Sequence, residues 1–252
     1  MIAILSDVHA NLEALTAVWK DLMQRGATSV YFLGDIVGYG PNPREVLEFV
    51  KHFEFSLLGN HDEACLKGPP KSFNAAATGA AHWTRKEVCP DELSGKFFRP
   101  GEFKRRTELW EYMQRLQPSR RIGNQLFVHD TPAAPGSWRY VTKREEADAG
   151  FAAHPDVRAF FFGHSHRPGI WTERHYRDAE PGQKYPLTER VMFNVGSVGQ
   201  PRDNDPRACY IILEPDGVRF YRVPYDVAKT QEKILDCPAL DPTLALRLGK
   251  GQ

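Results

Sequence analysis

The sequence predicts an α/β domain built on two packed sheets, and three observations carry that prediction. Between Ile2 and Leu58, apolar runs alternate with helix-period patterns in β-α-β-α-β order, which favours a mainly parallel sheet. The last third carries short strands with turn residues between them, which favours antiparallel pairing. The 252 residues, 41% of them hydrophobic, suffice for a sizeable core, and without a clear linker, repeat or low-complexity tract one domain over 1–252 is the simplest organisation.

The elements follow in order. Ile2–Leu5 is a buried strand. Leu12, Leu15, Val18, Trp19 and Leu22 recur at helical spacing until Gly26 stops the helix. Val30–Leu33 is the next strand, Pro43 to Val50 a helix with Val46, Leu47 and Val50 on one face, and Phe55–Leu58 the third strand. Asn74 to Val88, rich in alanine, and Thr107 to Leu116 are helices. Pro90, Gly95, Pro100 and Gly101 mark the loop between them, and together they form a helical insertion at about 72–117. A hairpin over Arg121–Leu126 enters a strand that ends at Val128. Thr142 to Ala153 is helical and Ala159–Phe162 is a very apolar strand. Ile170–Thr172, Val191–Val195, Cys209–Leu213 and Val218–Val223 are short strands, with Pro215, Asp216 and Gly217 turning between the last two. Val227 to Leu235 is a final helix.

Composition narrows the function. Basic and acidic residues number 33 and 32, so the net charge of +1 exerts no global pull toward nucleic acid or anionic lipid. The N-terminus has no basic leader and its apolar run is short, unlike a signal peptide. No stretch has the length to cross a bilayer, so the expected location is the cytoplasm with no membrane partner. Cys65, Cys89, Cys209 and Cys237 show neither metal-site spacing nor the density of a disulfide scaffold and are read as reduced thiols.

The chemistry sits where the apolar runs end. Ile2–Leu5 leads into Asp7 and His9, Val30–Leu33 into Gly34 and Asp35, and Phe55–Leu58 into Gly59, Asn60, His61 and Asp62. Leu126–Val128 leads into His129, and Ala159–Phe162 into Gly163, His164, Ser165 and His166. Sites in α/β sheets form outside the carboxyl ends of strands, so these groups converge in space. In extended chain, Asp7 and His9 face one way, as do His164 and His166. Gly34 and Gly163 allow sharp turns before the ligands. Imidazole with carboxylate suits a divalent transition metal. Each motif alone is weak: a D-x-H, a Gly-Asp turn or a lone histidine has ordinary structural uses. Their order and common position at strand ends argue against chance. His52, His82, His154 and His175 stand outside the pattern and read as surface or packing residues.

Asp-x-His, Gly-Asp, Gly-Asn-His-Asp, a later His and Gly-His-x-His, in that order, resemble the signature of the calcineurin-like metallophosphoesterases. Gly38–Pro43, Phe73-Asn74, Trp83–Arg85, Asn194–Asp203 and Val223–Asp226 are similar to a bacterial and archaeal branch of that family, so the resemblance covers nearly the whole chain. It implies a four-layer α/β/β/α sandwich of two mixed sheets flanked by helices. It implies two divalent ions, manganese favoured over iron, zinc or nickel, hydrolysing a phosphomonoester or phosphodiester through a metal-bridging hydroxide. One ion would take Asp7, His9, Asp35 and His166, the other Asp35, Asn60, His129 and His164, with Asp35 shared. His61 would stand beside the substrate, with Asp62 fixing its orientation and favouring the charged imidazole.

One departure is Asp130, where the branch usually has glycine after the histidine. Either it tolerates a positive φ and adds negative charge near the second ion, or it faces solvent without a role. Arg202 either contacts phosphate or pairs with Asp203 or Asp205; Asn74 has similar standing. The expected partner is a small phosphorylated substrate, and the oligomeric state is open. Two alternatives remain. Lys96, Arg99, Lys104, Arg105 and Arg106, followed by Arg115, Arg120 and Arg121, would suit a nuclease unless the interleaved Glu102, Glu108 and Glu111 neutralise them. A non-catalytic scaffold is disfavoured because every ligand position is filled.

Overall fold

A computed structural model describes residues 1–93 and 101–252. Lys96 and Arg99, the first members of the basic run, lie outside them. The first sheet contains β1 (Ile2–Leu5), β2 (Ser29–Phe32), β3 (Phe55–Ser56), β9 (Lys184–Pro186), β11 (Ala208–Glu214) and β12 (Gly217–Val223) in the order β3-β2-β1-β11-β12-β9. Here β1, β2 and β3 run parallel, and β11, β12 and β9 add antiparallel. The second contains β4 (Ser119–Ile122), β5 (Gln125–Val128), β6 (Ala159–Phe162), β7 (Gly169–Thr172), β8 (Tyr176–Asp178) and β10 (Val191–Asn194) in the order β4-β5-β6-β10-β7-β8. Its β5, β6 and β10 are parallel and its edges antiparallel.

Alternation along the strands builds the layers. Ile4, Phe127, Phe161, Phe193, Ile211 and Phe220 point between the sheets. Ala3, Leu5, Val30, Phe32, Tyr210 and Ile212 point outward, covered by α1 (Leu12–Gln24) and α2 (Pro43–Val50). On the far side Leu126, Val128, Phe160, Phe162 and Met192 meet α6 (Arg144–Ala153) through Ala147 and Phe151. The result is the expected α/β/β/α layering. β6 and β10 are buried along their whole length, as strands with an apolar layer on both faces must be.

The remaining helices are α3 (Asn60–Lys67), α4 (Ala75–Val88), α5 (Glu102–Gln114), α7 (Val227–Leu235) and α8 (Pro242–Leu248). The sequence reading missed α3, α8, β8 and β9. α3 begins at the residues taken for a strand-end loop, and Asp62 closes its N-terminus by accepting from the Gly59 amide at 3.0 Å. α8 starts on Asp241, with Pro242 in its first turn, and buries Leu244 and Leu248 beside Tyr39 and Ile234. β8 is short with all three residues exposed, and β9 is a short edge strand, so neither carries an alternation long enough to register.

Candidate metal centre

The carboxyl ends of β1, β2, β5 and β6 bring the predicted residues to one end of the sandwich. Four ligand atoms from Asp7, His9, Asp35 and His166 lie within 4.8 Å of one another, and Asp35, His129 and His164 form a second such group. All six side chains are at most 4% exposed. Asp35 alone belongs to both groups. Its Oδ2 stands 3.5 Å from His9 Nε2 and 3.4 Å from His129 Nε2. Asn60 joins the second group with Oδ1 3.2 Å from His129 Nε2.

The convergence is not produced by extended chain. Asp7, His9, Asp35, His164 and His166 all have left-handed backbone, with φ between 48° and 64°. Non-glycine residues rarely adopt it, and each instance costs on the order of 1 kcal/mol or more. The loops are held in that shape by bonds that extend the sheets: the Asp7 amide donates to Gly34 O, His9 to Asp35 O and Gly163 to His129 O, each at 3.0 Å. The paired histidines also divide. His166 turns to the first group, 3.2 Å from Asp7 Oδ1, while His164 turns to the second. Gly34 has φ +106°, as expected of a turn glycine. Gly163 has no such φ and is required for space instead: a Cβ there would lie 2.1 Å from Ser6 Oγ and 2.4 Å from Asp7 Oδ2.

The imidazoles are set for a cation. His9 Nδ1 faces Val37 O at 3.1 Å, His129 Nδ1 faces Leu33 O at 3.0 Å, and His166 Nδ1 faces Gln200 O at 2.5 Å. Each such bond needs the proton on Nδ1, which leaves the Nε2 lone pair directed inward when the ring is neutral. His164 is reversed: its Nε2 faces Trp138 O at 3.0 Å, leaving Nδ1 for the site. Two Nε2 atoms, of His9 and His166, approach to 3.1 Å, and Asp7 Oδ1 is buried without a hydrogen-bond partner among the described residues. A shared divalent ion resolves both facts, so the donor set fits one.

Electrostatics without an ion agree. Burial drives His9 well below its ordinary value and His164 down to about 3. His166 is lowered by burial and by the Arg202 guanidinium. Burial opposes the charging of His129 too, but the Asp35 carboxylate overrides it and holds that imidazole up at about 10. Asp35 is itself held well below the carboxylate range, burial being outweighed chiefly by His129.

The expected pairing of Asp62 with His61 is absent. Asp62 turns back to the start of α3, where its carboxylate accepts from the amides of Asp35 at 2.9 Å, Gly59 at 3.0 Å and Val37 at 3.1 Å. It clamps the Asp35 turn, and burial together with Asp35 pushes its pKa up to about 7. His61 points the other way, among the rings of Tyr39 at 4.3 Å, Phe73 at 4.7 Å and His9 at 4.9 Å. Its Nδ1 is buried without a partner among the described residues, and burial lowers the imidazole to about 4.

Three weaker candidates resolve. Asp130 has no positive φ and does not face solvent; it is 1% exposed. It accepts from Gly136 N at 3.0 Å and Trp138 N at 2.5 Å, and so organises the loop whose Trp138 carbonyl meets His164. Arg202 is not engaged with its acidic neighbours, since Asp203 is held by Arg222 and Asp205 by Arg207. It donates to Gln200 Oε1 at 2.8 Å, its Cζ 5.8 Å from the Tyr39 ring centre. Asn74 caps α4 by accepting from Ala77 N at 2.9 Å. The sequence reading missed Tyr39, Trp138 and Gln200. Two of these act through backbone carbonyls, which leave no mark in side-chain identity; only the Gly-Tyr-Gly-Pro run signalled Tyr39.

The family model described as calcineurin-like phosphoesterase matches residues 1–168. An uncharacterized protein of Methanocaldococcus jannaschii is 35% identical over 241 residues, spanning 93% of this chain and 92% of that one. The crystal structure of a metallophosphoesterase from Sphaerobacter thermophilus is similar with a TM-score of 0.83 and 35% identity, covering 100% of this chain and 98% of its own. A hypothetical protein from Pyrococcus horikoshii shares the fold with a TM-score of 0.74 at 19% identity, over 100% and 99% of the two chains. The match over residues 1–168 and these buried aspartate and histidine groups place the chain among the calcineurin-like phosphoesterases, metal-dependent hydrolases of phosphate esters.

Proposed function

We propose that this phosphoesterase works with two divalent cations. Asp7, His9, Asp35 and His166 hold one, and Asp35, Asn60, His129 and His164 hold the other. The supporting observation is the Asp35 carboxylate, which alone belongs to both clusters and places Oδ2 within 3.5 Å of a histidine from each. The mixed nitrogen and oxygen set suits manganese, iron, zinc or nickel, of which we favour manganese. Two such ions supply Lewis acidity toward a phosphoryl oxygen and an activated water at neutral pH.

The chain's own groups supply the rest. Asp7 and Asp35 offset only two of the four positive charges, and Asn60 binds through an amide oxygen without reducing the balance. An anionic phosphate is therefore drawn to the site. Neutral His61, set between Tyr39 and Phe73, stands beside His9 of the first cluster. An adjacent phosphate raises its pKa, so it charges as substrate binds and can then protonate the leaving alkoxide. Asp62 is a positioning residue that fixes the Asp35 turn. We assign the chain to one domain, with the segment at about 72–117 as its insertion, acting on a small phosphorylated substrate. The basic run supports that choice over a nuclease: Arg105 pairs with Glu48, Arg106 with Glu102 and Arg121 with Asp156.

The test is metal-dependent hydrolysis of p-nitrophenyl phosphate and bis-p-nitrophenyl phosphate, with metal content measured in parallel. Two equivalents of metal, and turnover abolished in Asp35→Asn, are expected; one equivalent with full turnover would overturn the dinuclear assignment.

A further inference from the structure

A cleft of about 390 Å³ opens directly off Asn60 and His164, two donors of the second cluster. Three aromatic rings line it: Phe73, Trp138 and Tyr140. All three are fixed by residues of the site. Tyr140 lies flat on the His164 imidazole, with ring centres 4.1 Å apart and planes 10° from parallel, yet remains 46% exposed. Trp138 sits at φ +59°, its amide held by Asp130 and its indole Nε1 donating to Glu63 Oε2 at 2.6 Å. A bulky residue in that conformation is a true outlier and persists only where its surroundings impose it. Phe73 rests against His61. The cleft is thus preformed around aromatic faces, one of them outward and uncovered.

Its remaining lining sets polar Glu63, Lys67, Ser72 and Ser137 beside Ala64, Gly68 and Pro70. The volume falls in the range of small-molecule sites, about 300–1,000 Å³. A planar base has a π-face for the rings, and a ribose has hydroxyls for the serines. A bare phenyl group would use the rings and leave the polar lining to water.

We propose that this cleft binds the base and ribose of a nucleotide whose phosphoester lies over the Asp35 centre. The assignment rests on the phosphoesterase reading above and names its substrate class. It follows that base removal weakens the substrate while the same ester bond is retained.

The experiment measures kcat/KM with Mn²⁺ for two matched pairs, one per ester class. The monoester pair is AMP and ribose 5-phosphate; the diester pair is thymidine 5′-p-nitrophenyl phosphate and methyl p-nitrophenyl phosphate. The nucleotide member should be favoured by about tenfold or more, the scale of one base stacked on an aromatic ring. Tyr140→Ala and Phe73→Leu should each narrow that ratio, through KM more than kcat. Equal values within the hydrolysed pair, or ratios unmoved in both variants, would overturn the assignment while leaving the hydrolase intact. Phenyl phosphate turned over as well as AMP would reassign the cleft to aryl esters. Adenosine titrated calorimetrically into the wild-type protein, with ribose as control, separates the cleft from the chemistry. Saturable adenosine binding without turnover of any ester would sustain the cleft and sink the hydrolase; no adenosine binding and no base preference would sink the cleft.

Discussion

Replacing Asp130 by alanine tests whether the second cluster depends on a side chain that is not itself among its ligands. The carboxylate holds the amides of Gly136 and Trp138, and the Ser137 hydroxyl approaches it at 3.5 Å. Removing it leaves two backbone donors of a part-buried loop unpaired. At about 1.5 kcal/mol per bond to a charged acceptor, the loss is about 3 kcal/mol. For a chain of this size that lowers Tm by about 6–12 °C. The functional effect passes through Trp138 O, which fixes the tautomer of His164. Outer partners of this kind change metal affinity by about ten- to a hundredfold. The assay is activity against Mn²⁺ concentration, alongside thermal denaturation of the metal-free protein. The half-saturating Mn²⁺ concentration should rise by that factor while kcat at saturating metal changes little. Asp130→Asn, which keeps one acceptor oxygen, should fall between. An alanine variant with unchanged Tm and half-saturation would refute the chain from Asp130 to His164.

Other outcomes follow from the same geometry. His61→Ala should cost about 10²–10⁴ in kcat on an alkyl ester and far less on a p-nitrophenyl ester, whose leaving group needs no proton; equal losses on both would remove the acid role. Gly163→Ala should destabilise the protein by about 1–3 kcal/mol and weaken metal binding, because its Cβ would displace Asp7 Oδ2 from 2.4 Å; wild-type values in denaturant titration and metal binding would show that the loop has room. In the metal-free protein His129 is held at about 10, above its ordinary 6.5, so it binds its proton more tightly when folded. That stabilisation is complete below about pH 6.5 and is lost as pH rises through about 10. Metal must displace this proton, so calorimetry at pH 8 in buffers of different ionisation enthalpy should report about one proton more released per chain than in His129→Asn.

Much of this was legible because chemistry followed burial. Five apolar runs ended in metal-ligand residue types, and at the ends of those runs the structure gathers Asp7, His9, Asp35, Asn60, His129, His164 and His166. The layers were legible for the same reason: one strand face of Phe127, Phe161 and Phe193, and the other of Val128, Phe160 and Met192, could be satisfied only by apolar cover on both sides. What escaped was whatever depends on direction. Asp62 reads as a partner for its neighbour His61, but a helix begins at Asn60, and its first turn sends the two side chains apart. The short edge strand β9 and the loop carrying Trp138 escaped because a lone ladder bond or a backbone carbonyl has no residue-type signature.

The left-handed turns explain why so many donors fit in so small a volume. An extended strand end would carry alternate side chains to opposite faces and advance more than 3 Å per residue, spreading a D-x-H pair along the strand. At φ 54° and 48°, Asp7 and His9 curl back so that both reach Asp35, and the same curl sends His164 and His166 to different clusters. The conformation is intrinsically unfavourable, and nothing local relieves it. Asp7 N to Gly34 O, Gly199 N to Asp7 O and Ser197 Oγ to Asp7 O hold it from the segments that follow β2 and β10, one in each sheet. The strain is thus borne by the sandwich rather than by the metal, so the cage is organised before any ion arrives. On that reasoning, chelation should leave the sheets intact and cost the protein chiefly its activity. A chain that unfolded on metal removal would place the burden on the ions instead.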